Sequence, residues 1–263
     1  MSHSSPPESL FSVNGKKVVV TGGSRGIGLM IARGFVRAGA DVLISARKAD
    51  QLASAVEELS EFAPVESVVA DVSTEAGAKA LAESVLEWTP TLHVLVNNAG
   101  ATWGAPLEDF PEAGFDKVIA TNIKGPFFLT SALVGALRAA ATADDPARVI
   151  NIGSVDGIRP PVMESYPYGA SKAGVHHLTK HLAHHLARDH ITVNAIAPGP
   201  FESKMMAFAL DDPATRAGIE RSVPLGRIGR PDDMAGAAIF LASRAGSYLT
   251  GSVIAVDGGI VGA

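Results

Sequence analysis

Seven short runs rich in valine and isoleucine recur along the chain, and longer stretches with helical spacing lie between them. The runs are 16–22, 40–46, 65–71, 92–98, 147–154, 191–199 and 252–258. The helical stretches are 26–38, 50–60, 74–88, 108–120, 122–141, 167–188 and 231–243, with a looser one at 203–222. The short runs do not alternate cleanly between apolar and polar residues, which is the pattern of strands covered on both faces. Strands that alternate with helices in this way build an α/β fold with a parallel, doubly wound sheet. No linker, repeat or low-complexity tract marks a second domain. The reading is one domain over 13–263, preceded by a flexible tail at 1–12.

Composition closes off several function classes. Hydrophobic residues make up 47 % of the 263 and charged ones 19 %, enough for a large core and too apolar for disorder. Lys+Arg 22 against Asp+Glu 27 gives −5, and no basic run interrupts that mild acidity, so no nucleic-acid partner is expected. Cysteine is absent, which removes disulfide and thiolate chemistry and fits a cytoplasmic protein. No uninterrupted apolar run approaches the ~18 residues of a membrane span. The opening "MSHSSPPES" lacks the basic and apolar regions of a secretory signal.

The first strand runs into "TGGSRGIG", which places Gly22, Gly26 and Gly28 between a strand and a helix. Such glycines either permit a tight turn or let backbone N–H groups and a helix N-terminus approach a pyrophosphate. At the first strand–helix turn of a doubly wound sheet the dinucleotide reading is the stronger. Farther on, "ESYPYGASKAG" holds Tyr168 and Lys172 at i and i+4, hence on one helical face. A free phenol has a pKa near ~10, and a nearby ammonium favours its ionised form. On a helical wheel Val175, Leu178, Leu182 and Leu186 point the same general way as Tyr168, towards the sheet. Alone, Tyr168 could equally be an ordinary half-buried aromatic. Pro167 fits a first helical turn and is expected to hold Tyr166 extended just outside it.

Taken in order, TG-x₃-G-x-G, "NNAG" (97–100) and Tyr168-x₃-Lys172 resemble the short-chain dehydrogenase/reductase family, from about Val13 to Gly259. The resemblance implies a Rossmann-type fold with seven parallel strands, a nicotinamide cofactor and carbonyl/alcohol chemistry on a small molecule. It makes Tyr168 the acid/base, with Lys172 lowering its pKa and binding the nicotinamide ribose. Ser154 orients the substrate, and Asn122 supports a proton relay through water. It assigns cofactor contacts to Gly22, Ser24, Arg25, Gly26, Ile27 and Gly28 in the turn, Asp71 and Val72 near the adenine, and Asn98, Ala99 and Gly100 after the fourth strand. After the sixth come Pro198, Gly199, Phe201 and Ser203, a serine where the family often has threonine.

The end of the second strand selects the nicotinamide. An acid there would bond the ribose hydroxyls of NAD and repel a 2′-phosphate. The chain has Ala46 at that place, followed by Arg47 and Lys48, with Arg25 inside the glycine turn. Arginine suits a phosphate, so NADP(H) is the expected cofactor unless Arg47 and Lys48 are merely solvated.

The substrate cover is expected over 201–225, apolar at Met205, Met206, Phe208, Leu210 and Val223. Apolar lining suits an acyl chain or another hydrophobic ketone better than a free sugar. Across the whole chain "TGGSRGIG", "NNAG-x₂-WG", "ARVINIGSV-x-GI" and "IAPGPF" resemble the family's 3-oxoacyl reductases, including the type associated with rhamnolipid synthesis. They overlap with reductases of the gluconate 5-dehydrogenase kind. Substrate contacts are expected at Ser154, Tyr166, Tyr168 and Met205, Tyr166 being either a lip of the entrance or simple packing. A non-catalytic cofactor sensor on the same fold would be expected to lose Tyr, Lys or Ser, and all three are present. "VHHLTKHLAHHLARDH" holds six of the 8 histidines, with His177, His181 and His184 on one face. No carboxylate shares that face, so it reads as solvated or as a subunit contact, and no metal is expected. The resemblance implies a homodimer or homotetramer.

Overall fold

The computed structural model describes residues 7–202 and 211–262. Seven parallel strands form one sheet in the order β3-β2-β1-β4-β5-β6-β7. They are β1 (Lys17–Thr21), β2 (Asp41–Ala46), β3 (Val65–Val69), β4 (Val94–Asn97), β5 (Ala147–Ile152), β6 (Ile191–Pro198) and β7 (Val253–Val256). After a single helical turn, α1 (Pro7–Leu10), the helices are α2 (Gly26–Arg37), α3 (Ala49–Ser60), α4 (Glu75–Trp88), α5 (Glu112–Ile119), α6 (Gly125–Ala140), α7 (Tyr166–Leu186), α8 (Pro213–Ser222) and α9 (Pro231–Ala242).

The two-residue period of a strand divides the core. Val18 and Val20 of β1 face Ile31 and Phe35 of α2, Leu52 of α3 and Met234 of α9. Val19, between them, faces Leu81 of α4 and Leu129 and Leu133 of α6 on the other side. The strand order reverses at β1, whose neighbours are β2 and β4. A crevice at the carboxyl ends of the strands opens at such a reversal. Coverage fails only at the rims: β3 is largely exposed and β7 half-buried, because each has one strand neighbour. The expectation of strands covered on both faces therefore holds for the five inner strands.

Between α5 and α6 the backbone makes a π turn, Ala120–Lys124, closed by the Gly125 N–H on the Ala120 carbonyl. The continuous helical stretch Glu112–Ala140 is long and apolar enough to cross a membrane by length and composition, yet 44 % of that window is buried inside the domain. It is the core helix facing β4 and α4.

The opposite end of the sheet is closed by a cation. Arg148, only 1 % exposed, donates to the carbonyls of Leu241 (3.2 Å) and Ser243 (2.9 Å) and to Asp145 Oδ1 (3.0 Å). Lys16 reaches the other oxygen of Asp145 at 2.6 Å. Replacing Arg148 by methionine leaves two carbonyls and a carboxylate short of a donor. We expect a loss of roughly 3 kcal/mol, read as a lower urea midpoint with an unchanged slope.

Candidate active site

The glycine turn is shaped by close approach as well as by dihedral angle. Gly22 and Gly26 have φ of 64° and 53°, the left-handed region that glycine enters freely. Gly28 has no such need. A Cβ there would overlap the Gly22 carbonyl oxygen and Asn98 Nδ2. Asn98 Nδ2 donates to the carbonyls of Thr21 (2.8 Å) and Gly22 (3.1 Å), and Thr21 Oγ1 accepts from the N–H groups of Asn98 and Ala99, both at 3.0 Å. The turn after β1 and the loop after β4 are thus bolted together at the crevice. The N-terminus of α2 has no side-chain cap at Arg25, so its N–H groups stand open to an anion.

Basic groups gather beside it. Arg25 is exposed and reaches Gln51 of α3 at 3.3 Å, which brings it across the end of β2. Ala46 presents no carboxylate there. Asp71 feels the charge of Arg47; burial raises its pKa, but bonds from Ser73 together with Arg47 hold it below the ordinary carboxylate range. Gly-rich cradle, open helix end and adjacent arginines fit a phosphorylated dinucleotide. Ser24 and Ile27 are half-buried in the same turn, and Val72 is buried behind it. The Phe201 ring is 2 % exposed and packs against Gly229. Pro198 ends β6, and Gly199 lies so close to Asp257 that a Cβ would stand 2.8 Å from its Cα.

The residues expected to handle the proton converge from three elements. Ser154 follows β5, Asn122 sits in the π turn, and Tyr168 and Lys172 lie one turn apart on α7. Asn122 is held on three sides: its Oδ1 accepts from Ala101 N–H (2.8 Å), and its Nδ2 donates to the Ala101 carbonyl (3.0 Å) and Ser171 Oγ (2.9 Å). Lys172 is buried, donates to the Ile152 carbonyl at 2.8 Å, and has its Nζ 5.6 Å from the Tyr168 ring centroid. Burial lowers its pKa to about 8. Burial also pushes the Tyr168 phenol up to about 12, against a hydrogen bond with Ser154 that works to lower it. Burial outweighs that bond, so in the chain by itself the phenol lies above its ordinary value.

Tyr166 departs from the expectation. It is the first residue of α7, with Ser165 at the N-cap and Pro167 inside the first turn. Proline is tolerated there because the first helical N–H groups have no partner to lose. Tyr166 is half-exposed and meets Phe110 edge-on at 5.9 Å between ring centres. Ser203 and Met205 lie outside the described residues, as do Met206, Phe208 and Leu210.

The buried face of α7 also differs from the wheel. Leu178, Leu182 and Leu186 flank it, while Ser171, Lys172, Val175, His176, Thr179 and Ala183 form its centre. Its polar members other than Lys172 escaped a reading based on apolar spacing. Thr179 Oγ1 accepts from Asn151 Nδ2 (2.9 Å), Asn151 Oδ1 accepts from Asn97 Nδ2 (2.9 Å), and Asn97 Nδ2 also donates to Thr130 Oγ1 (3.2 Å). This relay runs from α6 through β4 and β5 to α7. His177, His181 and His184 are all exposed, as their shared face implies. The closest ring pair is instead His181 and His185, with Nε2 atoms 3.1 Å apart. Among the described residues no group of three or more metal-ligating side chains comes together.

Residues 22–261 match the family model described as enoyl-(acyl carrier protein) reductase. The chain is a short-chain dehydrogenase/reductase. It is 48 % identical over 249 residues to the rhamnolipids biosynthesis 3-oxoacyl-[acyl-carrier-protein] reductase of Pseudomonas aeruginosa, covering 95 % of this chain and 97 % of that one. It is 34 % identical over 254 residues to gluconate 5-dehydrogenase of Gluconobacter oxydans, covering 95 % and 96 %. The solved Pseudomonas aeruginosa RhlG/NADP active-site complex superposes with a TM-score of 0.94 at 47 % identity, over 96 % of this chain and 99 % of that one. A gluconate 5-dehydrogenase from Burkholderia cenocepacia, solved with NADP and tartrate, gives 0.89 at 33 % identity, over 98 % and 100 %.

Within this family fold, Gly28→Ala is expected to force the glycine turn away from Asn98. Dinucleotide affinity measured by titration calorimetry should fall by about tenfold or more, about 1.4 kcal/mol.

Proposed function

We propose that the chain is an NADP(H)-dependent oxidoreductase that reduces a 3-oxoacyl thioester or another hydrophobic ketone to the secondary alcohol. The observation that carries this reading is the convergence of Ser154, Tyr168, Lys172 and Asn122 beside the glycine turn. Bound NADPH supplies the hydride. The Ser154 hydroxyl orients the substrate carbonyl, and the Tyr168 hydroxyl delivers its proton as charge develops on that oxygen. A phenol held near 12 keeps its proton at neutral pH, which is the form that donates. Lys172 holds the nicotinamide ribose and keeps positive charge beside the phenol, and Asn122 anchors the end of the relay that returns a proton. Arg25 and Arg47, with no acid at Ala46, take the 2′-phosphate, in keeping with relatives solved with NADP.

An apolar substrate is supported by Ile158, Val162 and Met163, all exposed on the segment between Ser154 and Tyr168. It is also supported by the name of the relative at 48 % identity. Relatives that act on gluconate favour a second reading, a keto-sugar or polyol reductase. The proposal includes assembly as a homodimer or homotetramer in the cytoplasm. Large exposed side chains such as Phe115, Phe127 and Tyr248 suit burial between subunits.

A kinetic screen tests the substrate and cofactor together. NADPH should outperform NADH, and 3-oxoacyl thioesters should outperform keto-sugars, steroids and small diketones. Preference for NADH, or for keto-sugars by about a hundredfold in kcat/KM, would overturn the respective choice.

Tyr168→Phe should keep NADPH affinity within about threefold and lower turnover by roughly 10²–10⁴. In the unsubstituted enzyme, the Lys172 ammonium is present below its pKa of about 8 and lost above it. The kcat/KM for NADPH should therefore be level near neutrality and fall about tenfold per pH unit above that point.

A further inference from the structure

His176 lies on α7 one turn beyond Lys172, and its imidazole is 7 % exposed. Two glycines make room for it. A Cβ on Gly153 would stand 2.6 Å from His176 Cδ2 and nearer still to Nε2, and one on Gly157 would stand 2.8 Å from Cε1. The ring is thus gripped by both ends of the five-residue segment that carries Ser154. The same segment lies directly on the α7 backbone, where a Cβ on Gly157 would come within 2.6 Å of the Lys172 carbonyl carbon. Its other ties include Gly153 N–H to the Ile196 carbonyl at 2.7 Å, and the turn that Ser154 itself closes by accepting from Asp156 N–H at 3.1 Å.

Among the described residues His176 Nε2 has no hydrogen-bond partner. Burial, and after it the charge of Lys172, hold the imidazole below its ordinary pKa against a backbone bond to Gly157. A buried polar atom without a partner costs about 1–3 kcal/mol, and such costs are concentrated where geometry serves function. An aliphatic side chain would avoid that cost, but its tetrahedral bulk would not slide between two glycines as a flat ring does.

We propose that His176 is a positioning residue whose ring sets the height of the Gly153–Gly157 segment over α7, and with it the placing of the Ser154 hydroxyl against Tyr168. This rests on the roles proposed for Ser154 and Tyr168 in ketone reduction. Displacing a reacting group by about 1 Å costs up to about a hundredfold in rate, which sets the scale of the effect.

The experiment is a double-mutant cycle with purified full-length protein, reading kcat for ketone reduction and NADPH affinity in His176→Ala, Ser154→Ala and the pair. His176→Ala should lower kcat about tenfold to a hundredfold, with NADPH affinity held within about threefold. In the Ser154→Ala background the same change should cost less than about twofold, because the hydroxyl it positions is gone. An equal loss in both backgrounds would assign His176 to general support of α7 and overturn the proposal, as would no loss in the unsubstituted background. Should His176→Ala fail to fold, His176→Asn, which keeps a polar nitrogen near the Nδ1 position without the ring, runs the same cycle with the same expected and overturning results. If Ser154→Ala itself leaves kcat unchanged, the assignment of Ser154 fails and the proposal with it. If Ser154→Ala is costly while His176→Ala is silent, the positioning role alone fails.

Discussion

A chain of buried amides and hydroxyls from Thr130 through Asn97 and Asn151 to Thr179 fixes the helix on which the chemistry stands. α7 carries Tyr168 and Lys172 at its open end, yet it meets the sheet with few large apolar residues at the centre of its buried face. Hydrogen bonds supply the specificity that apolar packing there does not. Such bonds are directional, so the relay sets the rotation and height of α7 as well as its presence. A half-satisfied network in the same place would cost more than an apolar one, which makes these positions intolerant of change as a group. Lys172 continues the same logic by donating to the Ile152 carbonyl, and Asn122 by gripping both Ala101 and Ser171.

The electrostatics of the site follow from that burial. Low dielectric penalises both an ammonium and a phenolate, so Lys172 moves down and Tyr168 moves up. The protein chain by itself thus holds a protonated acid next to a weakly held cation. At the far side of the crevice no carboxylate ends β2, Arg25 reaches across towards α3, and the charge of Arg47 acts on Asp71.

Much of this was legible in the residues because their spacing maps directly onto backbone geometry. Val/Ile runs between helical stretches gave the seven strands, and TGGSRGIG between a strand and a helix gave the cradle. Tyr168 and Lys172 could be paired because i and i+4 share a helical face. What escaped reading was set by neighbours distant in sequence. Tyr166 lies within α7 because its capping residue is Ser165, which Pro167 does not forbid. The exposure of β3 depends on its place at the rim, which no local pattern encodes. His176 stood among five histidines that face outward or flank the helix end, and only the two glycines on a different segment reveal that it faces in. The burial of the Phe201 ring likewise depends on Gly229, far along the chain, which receives it.

The π turn at Ala120–Lys124 also limits how this chain can change over time. A π turn is an α-helix holding one residue more than its hydrogen-bond ladder needs. Deleting any one residue there would restore the regular ladder and keep the stretch helical, so nothing about local helix propensity forbids it. Because the bulge absorbs that residue, the downstream helix would keep its facing, with Leu129, Leu133 and Leu137 still on the core. The loss would fall on Asn122, which sits within the bulge and is aligned there with Ala101. The surplus residue therefore serves the placing of one side chain, and the packing of α6 is indifferent to it.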